Sequence, residues 1–587
     1  MNSVPSMVWE RVLAHADRPI LREKQRGVWR TTTWAELGRR MRAIGQGLRA
    51  SGFAPGDTAC VLADTRPEWV YADLGIQGAG GVSVGIYPTA GEELAADIVA
   101  DCAARVLFVE NEEQLDKALR ARSNCPALER IVVFDMKGLR DLADPMCESL
   151  DAFIARGEAH DRDNGREWEA GLESIRPEQL AVLIYTAGTT GAPKGAMLSH
   201  ANILAQVENG ASLLGQTEAD ERLVFMPMAH VMERVLGLYL SLHTRSVGNY
   251  VESVDTVAAD LQEVRPTVLI GAPHVWERFH SRIRLATGAA TLLQRSLFRW
   301  AMAAGMRRAD RQLAGRTTPA WTAVEAWLLG RLIVGNARRE LGLDRLRLAL
   351  VGGAPVSAEL VRWFMAFGIA LTEFYGQTEC AGLAALAGRG VPCGEIAVPD
   401  GEVLVRGPHV FMGYWKREQE TARALRDGWL HTGDLGTLVN GRLGITGRRQ
   451  DVITTSEGAS VAAGEIEKEM KVSPYIADAI LFGESRAHLS CLVMIDHDAV
   501  EKWAQANSVA FTSFATLVRA EPVRALIGIE IERAAVRHGR PNAIRSFRLI
   551  ERKLEPEDPE LTPVMKLRRG FVGEKYSELI EEMYSGA

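Results

Sequence analysis

Residues Tyr185 to His200 read YTAGTTGAPKGAMLSH and follow directly on LAVLIY, Leu180 to Tyr185. The apolar run has the length and composition of a buried strand. After it the chain turns small and polar. Gly188 and Gly191 permit positive φ and close approach of the backbone to a ligand. The hydroxyls of Thr186, Thr189 and Thr190, with the loop's N–H groups, suit phosphate oxygens. Lys194 adds positive charge, and Pro193 stiffens the exit. The spacing is not that of the common P-loop, where GK[ST] follows four spacer residues; here the lysine stands three places after Gly191. An ordinary turn-rich surface loop is the plain alternative, but such loops rarely concentrate Thr, Gly and Lys behind a buried strand.

The chain has 587 residues, which implies roughly three to four domains or subdomains. Hydrophobic residues make up 47% and charged residues 24%, the balance of a water-facing globular protein. A net charge of −7 gives no basis for nucleic-acid binding. The 7 cysteines are scattered without CxxC spacing and are expected to be reduced thiols in a cytoplasmic protein. The start, MNSVPSMVWERVL, has no basic segment leading into an apolar core, so no signal peptide is expected. No apolar run reaches the ~18 residues of a membrane span.

The 185–200 loop resembles the phosphate-binding signature of the acyl-adenylate-forming enzymes, a superfamily that includes acyl-CoA synthetases, luciferases and the adenylation domains of peptide synthetases. Further segments carry the same resemblance. PMAHVMER, Pro227 to Arg234, and APHVWERF, Ala272 to Phe279, are similar to the long-chain acyl-CoA synthetase branch, with His274 where an Arg is usual. In that branch the position of His230 lies between the acyl pocket and the CoA channel. LALVGGAPVS, Leu348 to Ser357, and EFYGQTE, Glu373 to Glu379, then supply Gly353, Ala354, Tyr375, Gly376, Gln377 and Thr378 for ATP. The resemblance implies Tyr375 against adenine and Thr378 and Glu379 toward phosphate and metal, with Thr186 as the second metal-side oxygen. Asp434, in HTGDLG, and Arg448 would meet the ribose. A carboxylate can take two O–H donors at once.

The same likeness places a hinge at Gln450, where Asp or Lys is usual, and the catalytic lysine at Lys566 in LTPVMKLRR. Ala459 and Ala463 are further departures near the hinge. The resemblance implies an α/β fold: a large N-terminal domain of sheets flanked by helices, 1–449, and a smaller mobile α/β domain, 450–587. It implies an AMP-forming acid–thiol ligase using ATP, Mg²⁺ and coenzyme A on a carboxylic acid, a fatty acid in this branch. Two alternatives stay open: an adenylating enzyme that loads a separate carrier protein, and a non-catalytic nucleotide-binding descendant.

The rest of the chain supports the α/β reading. TTTWAELGRRMRAIGQGLRASG, Thr31 to Gly52, has helical apolar spacing; TACVLAD is a strand; RPEWVYADLGIQGAGGVSVGIYP reads as helix, glycine break and strand. Such βα alternation predicts largely parallel sheets. Met136 to Gly171 is charged and reads as surface connection. Arginine is concentrated at 282, 284, 295, 299, 307, 308, 311, 316, 331, 338 and 339, against only Asp310 and Glu325. Trp and Leu interleave with them in a helical insertion at about 282–345. It is expected to pack one face on the body and to leave a surface for peripheral contact with the inner face of a membrane.

Overall fold

The computed structural model of the protein describes residues 2–186, 193–317, 319–537, 543–555, 558–562 and 566–585. Two sheets of eight and nine strands dominate the part before residue 450. In the first, Thr58–Leu62, Val82–Ile86, Val106–Val109, Arg130–Val133, Cys147–Ser149 and Leu180–Thr186 run parallel. The central strands are Val- and Leu-rich and buried on both faces, as parallel strands covered by helices must be. Lys194–Ser199 turns back antiparallel, so that Thr186 stands opposite Lys194 across the hairpin. The expectations for Gly188, Thr189, Thr190 and Gly191 fall outside the described residues.

The second sheet sets Val268–Gly271, Leu348–Val351 and Leu371–Tyr375 side by side and parallel. The Gly352–Gly353 turn and Tyr375 therefore leave neighbouring strands at their carboxyl ends, where α/β sheets open their ligand crevices. Gly353 has φ +77°, a conformation that only glycine adopts without strain. A five-stranded antiparallel sheet follows. Its strands Trp429–Val439 and Arg442–Arg448 pair Asp434 directly with Arg448.

After residue 450 the chain builds a three-stranded sheet of Ile476–Phe482, Leu489–Ile495 and Ile544–Leu549. Its hydrophobic clusters draw on residues 453–583 alone. Among the described residues, no helix is long and apolar enough to cross a membrane.

One sequence expectation is corrected. The 136–171 segment is not mere surface connection. It contains the helix Leu150–Asp163 and enters Glu167–Ser174, and Phe153, Ile154 and Trp168 are buried. Its many charges occupy the outer face and conceal a narrow apolar stripe. Ahead of His230 the strand Glu221–Val224 ends, and after it the chain forms a π-helix, Met232–Tyr239. The arginine-rich region starts inside the helix Pro273–Ala289 and continues through Leu292–Leu313, Ala320–Leu329 and Gly335–Glu340. Its longest helix is seated on Ala358–Ala366. A Cβ at Gly305 would overlap the Ala366 carbonyl, Phe298 lies 6.4 Å from Phe367, and Arg362 Nη2 donates to Asp310 at 2.8 Å.

Candidate functional site

Four of the expected nucleotide residues form one hydrogen-bonded group. Asp434 is buried. Its Oδ2 accepts from the Tyr375 hydroxyl at 2.8 Å and from Gln377 Nε2 at 2.6 Å, and its Oδ1 accepts from Arg448 Nε at 3.1 Å. Gln377 Nε2 also donates to the Thr432 carbonyl at 3.0 Å. A carboxylate has about four acceptor positions, so this one keeps free capacity while three neighbours fix its orientation. Burial and the Asp434 charge push the Tyr375 phenol upward, which keeps it a donor. Gly376 is required by packing: a Cβ there would overlap the Gly382 carbonyl.

A second group lies on the hairpin side. Thr186 Oγ1 donates to the Lys194 carbonyl at 3.5 Å. Lys194 pairs with Glu420 and stands 5.4 Å from the Tyr414 ring centre. The Tyr414 hydroxyl donates to Glu379 Oε1 at 2.7 Å. Glu379 sits on the 3-10 turn Thr378–Cys380, which starts just after Gln377. Thr378 and Glu379 are thus tethered to both groups. Tyr414 and Glu420 were missed from sequence. The signal was present in the GYWKREQE segment, Gly413 to Glu420, where an aromatic follows a glycine strand and an acid lies six places on. Nothing in the one-dimensional pattern says that it returns to Lys194.

The C-terminal part reaches the same crevice. Lys566 Nζ lies 3.5 Å from the Gly353 carbonyl, and Ala354 follows in that turn, half-buried. Burial beside Lys471 and Arg448 lowers the Lys566 ammonium to about 8, with Asp478 and Glu277 opposing. Leu567 N–H donates to Asp478 Oδ2 at 2.9 Å and so fixes the backbone next to the lysine. His230 feels the Lys566 charge, and burial with that charge holds it down at about 4. Its Nδ1 accepts from Met232 N–H at 3.1 Å, so the neutral ring carries its proton on Nε2. His274 is likewise held down at about 4, by burial first and then by Arg278 and Lys566, and burial raises Glu277 to about 7.

The two parts also touch away from the lysine. Ser357 Oγ donates to Glu469 Oε1 at 2.8 Å. Arg537 lies 3.3 Å from Glu359 and 3.2 Å from Glu469. Gln450 is on the exposed 3-10 turn Arg449–Asp451 at the junction.

A magnesium ion needs oxygen donors in near-octahedral array. Among the described residues, no cluster of three or more His, Cys, Asp or Glu forms a metal cage. One hydroxyl, Thr186, and one carboxylate, Glu379, suit a hard cation that takes its other oxygens from substrate phosphates.

Stacked α/β sheets, a buried carboxylate hub at the strand ends and a lysine delivered from a second unit define an enzyme of the adenylation class. The AMP-binding enzyme model matches residues 8–415, and the AMP-binding enzyme C-terminal domain model matches residues 450–587. The chain belongs to the AMP-binding enzyme family. It is 31% identical over 603 aligned positions to the long-chain-fatty-acid–CoA ligase FadD15 of Mycobacterium tuberculosis, covering 100% of this chain and 97% of that one. It is 31% identical to the long-chain-fatty-acid–CoA ligase ACSBG2 of Gallus gallus, covering 90% of this chain and 74% of the relative. Among solved structures, the adenylation domain of a carboxylate reductase from Mycobacterium chelonae superposes with TM-score 0.78 at 23% identity, covering 99% of this chain and 91% of that chain. The anthranilate CoA ligase AuaEII, bound to anthranoyl-AMP, gives 0.70 at 18% identity, covering 98% and 97%.

Proposed function

We propose that this protein is an ATP-dependent fatty acid–CoA ligase acting on long-chain acids. The observation that carries the reading is the Tyr375–Gln377–Asp434–Arg448 group with Lys566 at the Gly353 turn, in a chain similar from end to end to ligases of that name. In the first step a carboxylate oxygen of the acid attacks the α-phosphorus of ATP. The bond to the bridging oxygen breaks and pyrophosphate leaves. Two anions must meet, so positive charge placed at the developing phosphorane lowers the barrier. Lys566 and Lys194 supply it, and Asp434 with Arg448 hold the ribose side. In the second step the CoA sulfur attacks the acyl carbon, the bond to the phosphate oxygen breaks, AMP leaves and the thiol proton passes to solvent. The mixed anhydride is already activated, so no side-chain nucleophile is needed.

His230 offers its Nε2–H to the oxygen of the reacting acyl group. Mg²⁺ would be held by Thr186 and Glu379 and supplies charge neutralisation on the phosphates. Gly188, Thr189, Thr190 and Gly191 complete the phosphate loop in this reading, with Ala354, Gly376 and Thr378 lining the nucleotide. The working units are 1–449 and 450–587, and Gln450 is the hinge between them. The seven cysteines are free thiols, which suits a reducing, cytoplasmic setting. Long-chain acids partition into bilayers, so the enzyme works against the inner membrane surface.

The test is product analysis with purified protein, ATP, magnesium, free CoA and a panel of carboxylic acids. AMP and acyl-CoA formed in equal amounts, highest with long-chain acids, support the reading. Acyl-AMP accumulating without thioester on free CoA would instead favour a carrier-protein acceptor, and no pyrophosphate release with any acid would mean a non-catalytic protein.

A further inference from the structure

The arginine-rich helices are anchored on one side and open on the other. Ala301, Met302, Ala304 and Ala309 of Leu292–Leu313 are buried against the body. The uncovered side carries large apolar residues between its charges. Leu292 is 79% exposed, and Leu293 and Trp300 lie on the same helix with more than half of their surface free. On Ala320–Leu329 and the π turn after it, Val324, Trp327, Leu328 and Leu332 are all exposed. Their spacing, i, i+3, i+4 and i+8, is one continuous helical stripe. A stripe this exposed on a water-facing helix adds little to the fold, because about half of its surface stays uncovered.

The charges around it are equally one-sided. Glu325 is taken by Arg307 at 2.8 Å and Asp310 by Arg362. Among the described residues, Arg308, Arg311, Arg316 and Arg331 have no carboxylate ion pair. Between the helices lies a pocket of about 610 Å³ lined by Arg308, Arg331, Arg338, Arg339 and Trp327. Its one carboxylate, Asp344, is already paired with Arg265. Arg338 is half-buried there; its Nη2 donates to the Leu343 and Asp344 carbonyls at 3.3 Å, and its Nε has no partner. The pocket concentrates positive charge beside an apolar stripe, and that pairing is what an anionic, apolar-cored surface complements.

We propose that this face docks the protein on a bilayer of anionic phospholipid, with Leu292, Leu293, Trp327, Leu328 and Leu332 in the interface and the arginine pocket on a phosphate headgroup. The inference gives a surface to the membrane location proposed above. It is independent of catalysis in the proposed reading, since none of these residues is among those assigned to the nucleotide or to the reacting centre. A second copy of the chain is disfavoured as occupant, because apposing two such faces would bring the unpaired arginines together.

The experiment is co-flotation of the full-length protein with vesicles of phosphatidylcholine alone and of phosphatidylcholine mixed with phosphatidylglycerol, at low and ~0.15 M salt. Binding is expected only to the mixed vesicles, and weaker at the higher salt. Each arginine near such a surface contributes about fivefold in affinity, so Arg308→Gln with Arg331→Gln should weaken binding by more than about tenfold. Trp327→Ser with Leu328→Ser should weaken it as well, and both variants should keep ligase turnover on detergent-dispersed acid. Equal recovery with neutral and anionic vesicles, or unchanged binding in both variants, would overturn the proposal. So would lipid-free dimers that the same substitutions dissolve, since the face would then be a contact between copies. Vesicle binding without any ligase turnover would remove the enzymatic reading and leave the surface standing.

Discussion

In the proposed mechanism Lys566 is the residue whose charge matters most, and its setting sets a pH limit. Its ammonium is lowered to about 8, first by burial and next by Lys471 and Arg448, while Asp478 and Glu277 pull the other way. On that mechanism the protonated form is the active one for adenylation. In the free enzyme, kcat/KM for acyl-AMP formation should therefore be flat below pH ~8 and fall about tenfold per pH unit above it. Bound phosphates favour the ammonium, so the limb in kcat should lie at higher pH. His230, held down at about 4, stays neutral across this range and should add no limb near the ordinary histidine value. A profile with its only break near 6.5 would point to a different group. Deeper in the same body, Arg234 is fully buried, pairs with Asp73 and donates to Ser83 Oγ at 2.6 Å; the Tyr239 hydroxyl donates to Asp73 at 2.8 Å. Asp73→Ala leaves that guanidinium uncompensated, and a loss of about 3–5 kcal/mol is expected in a denaturant titration. A change under 1 kcal/mol would show that water reaches the site.

Among the elements, the crossing of Trp34–Ala50 with Leu150–Asp163 shows why some helices escaped the sequence reading and others did not. Trp34–Ala50 has a Thr33 cap, whose hydroxyl accepts from Glu36 N–H at 3.3 Å, and a wide apolar face. Both signals are visible in one dimension. Leu150–Asp163 buries only Leu150, Phe153, Ile154 and Gly157 behind a wall of Asp, Glu, Arg and His. Its contact runs through Gly157, where a Cβ would overlap the Ala43 carbonyl. Gly157→Ala should cost about 1–3 kcal/mol, the range for overpacking a fitted contact, read as a shift in denaturation midpoint; a neutral result would mean that the helices are free to separate. The site divides in the same way. Tyr375, Gln377, Asp434 and Arg448 were legible because each stands in a segment that resembles the family's, and strand pairing then sets Arg448 opposite Asp434. Tyr414, Glu420 and the Ser357–Glu469 contact join residues far apart in sequence, and no local pattern encodes a partner across a fold.

For the whole molecule, the proposed mechanism has the two units share a reaction and take different orientations for its halves. The observed arrangement has Lys566 at the Gly353 turn and Arg537 between Glu359 and Glu469, the orientation the proposal assigns to acyl-AMP formation. Arg537→Ala loosens this orientation without touching the crevice. It should slow acyl-AMP formation several-fold and leave thioester formation from supplied acyl-AMP unchanged or faster, measured as separate half-reactions; equal slowing of both would argue that the contact serves folding alone. The most direct measurement is the same pair of half-reactions on Lys566→Ala, with a thermal melt to establish folding. Acyl-AMP formation should fall by about 10²–10³, the worth of one positioned donor in a water-poor site, while acyl-AMP plus CoA still gives acyl-CoA at nearly the unsubstituted rate. A folded variant in which both halves fall together, or in which neither falls, would contradict the assignment of Lys566 to the first step and with it the two-orientation mechanism.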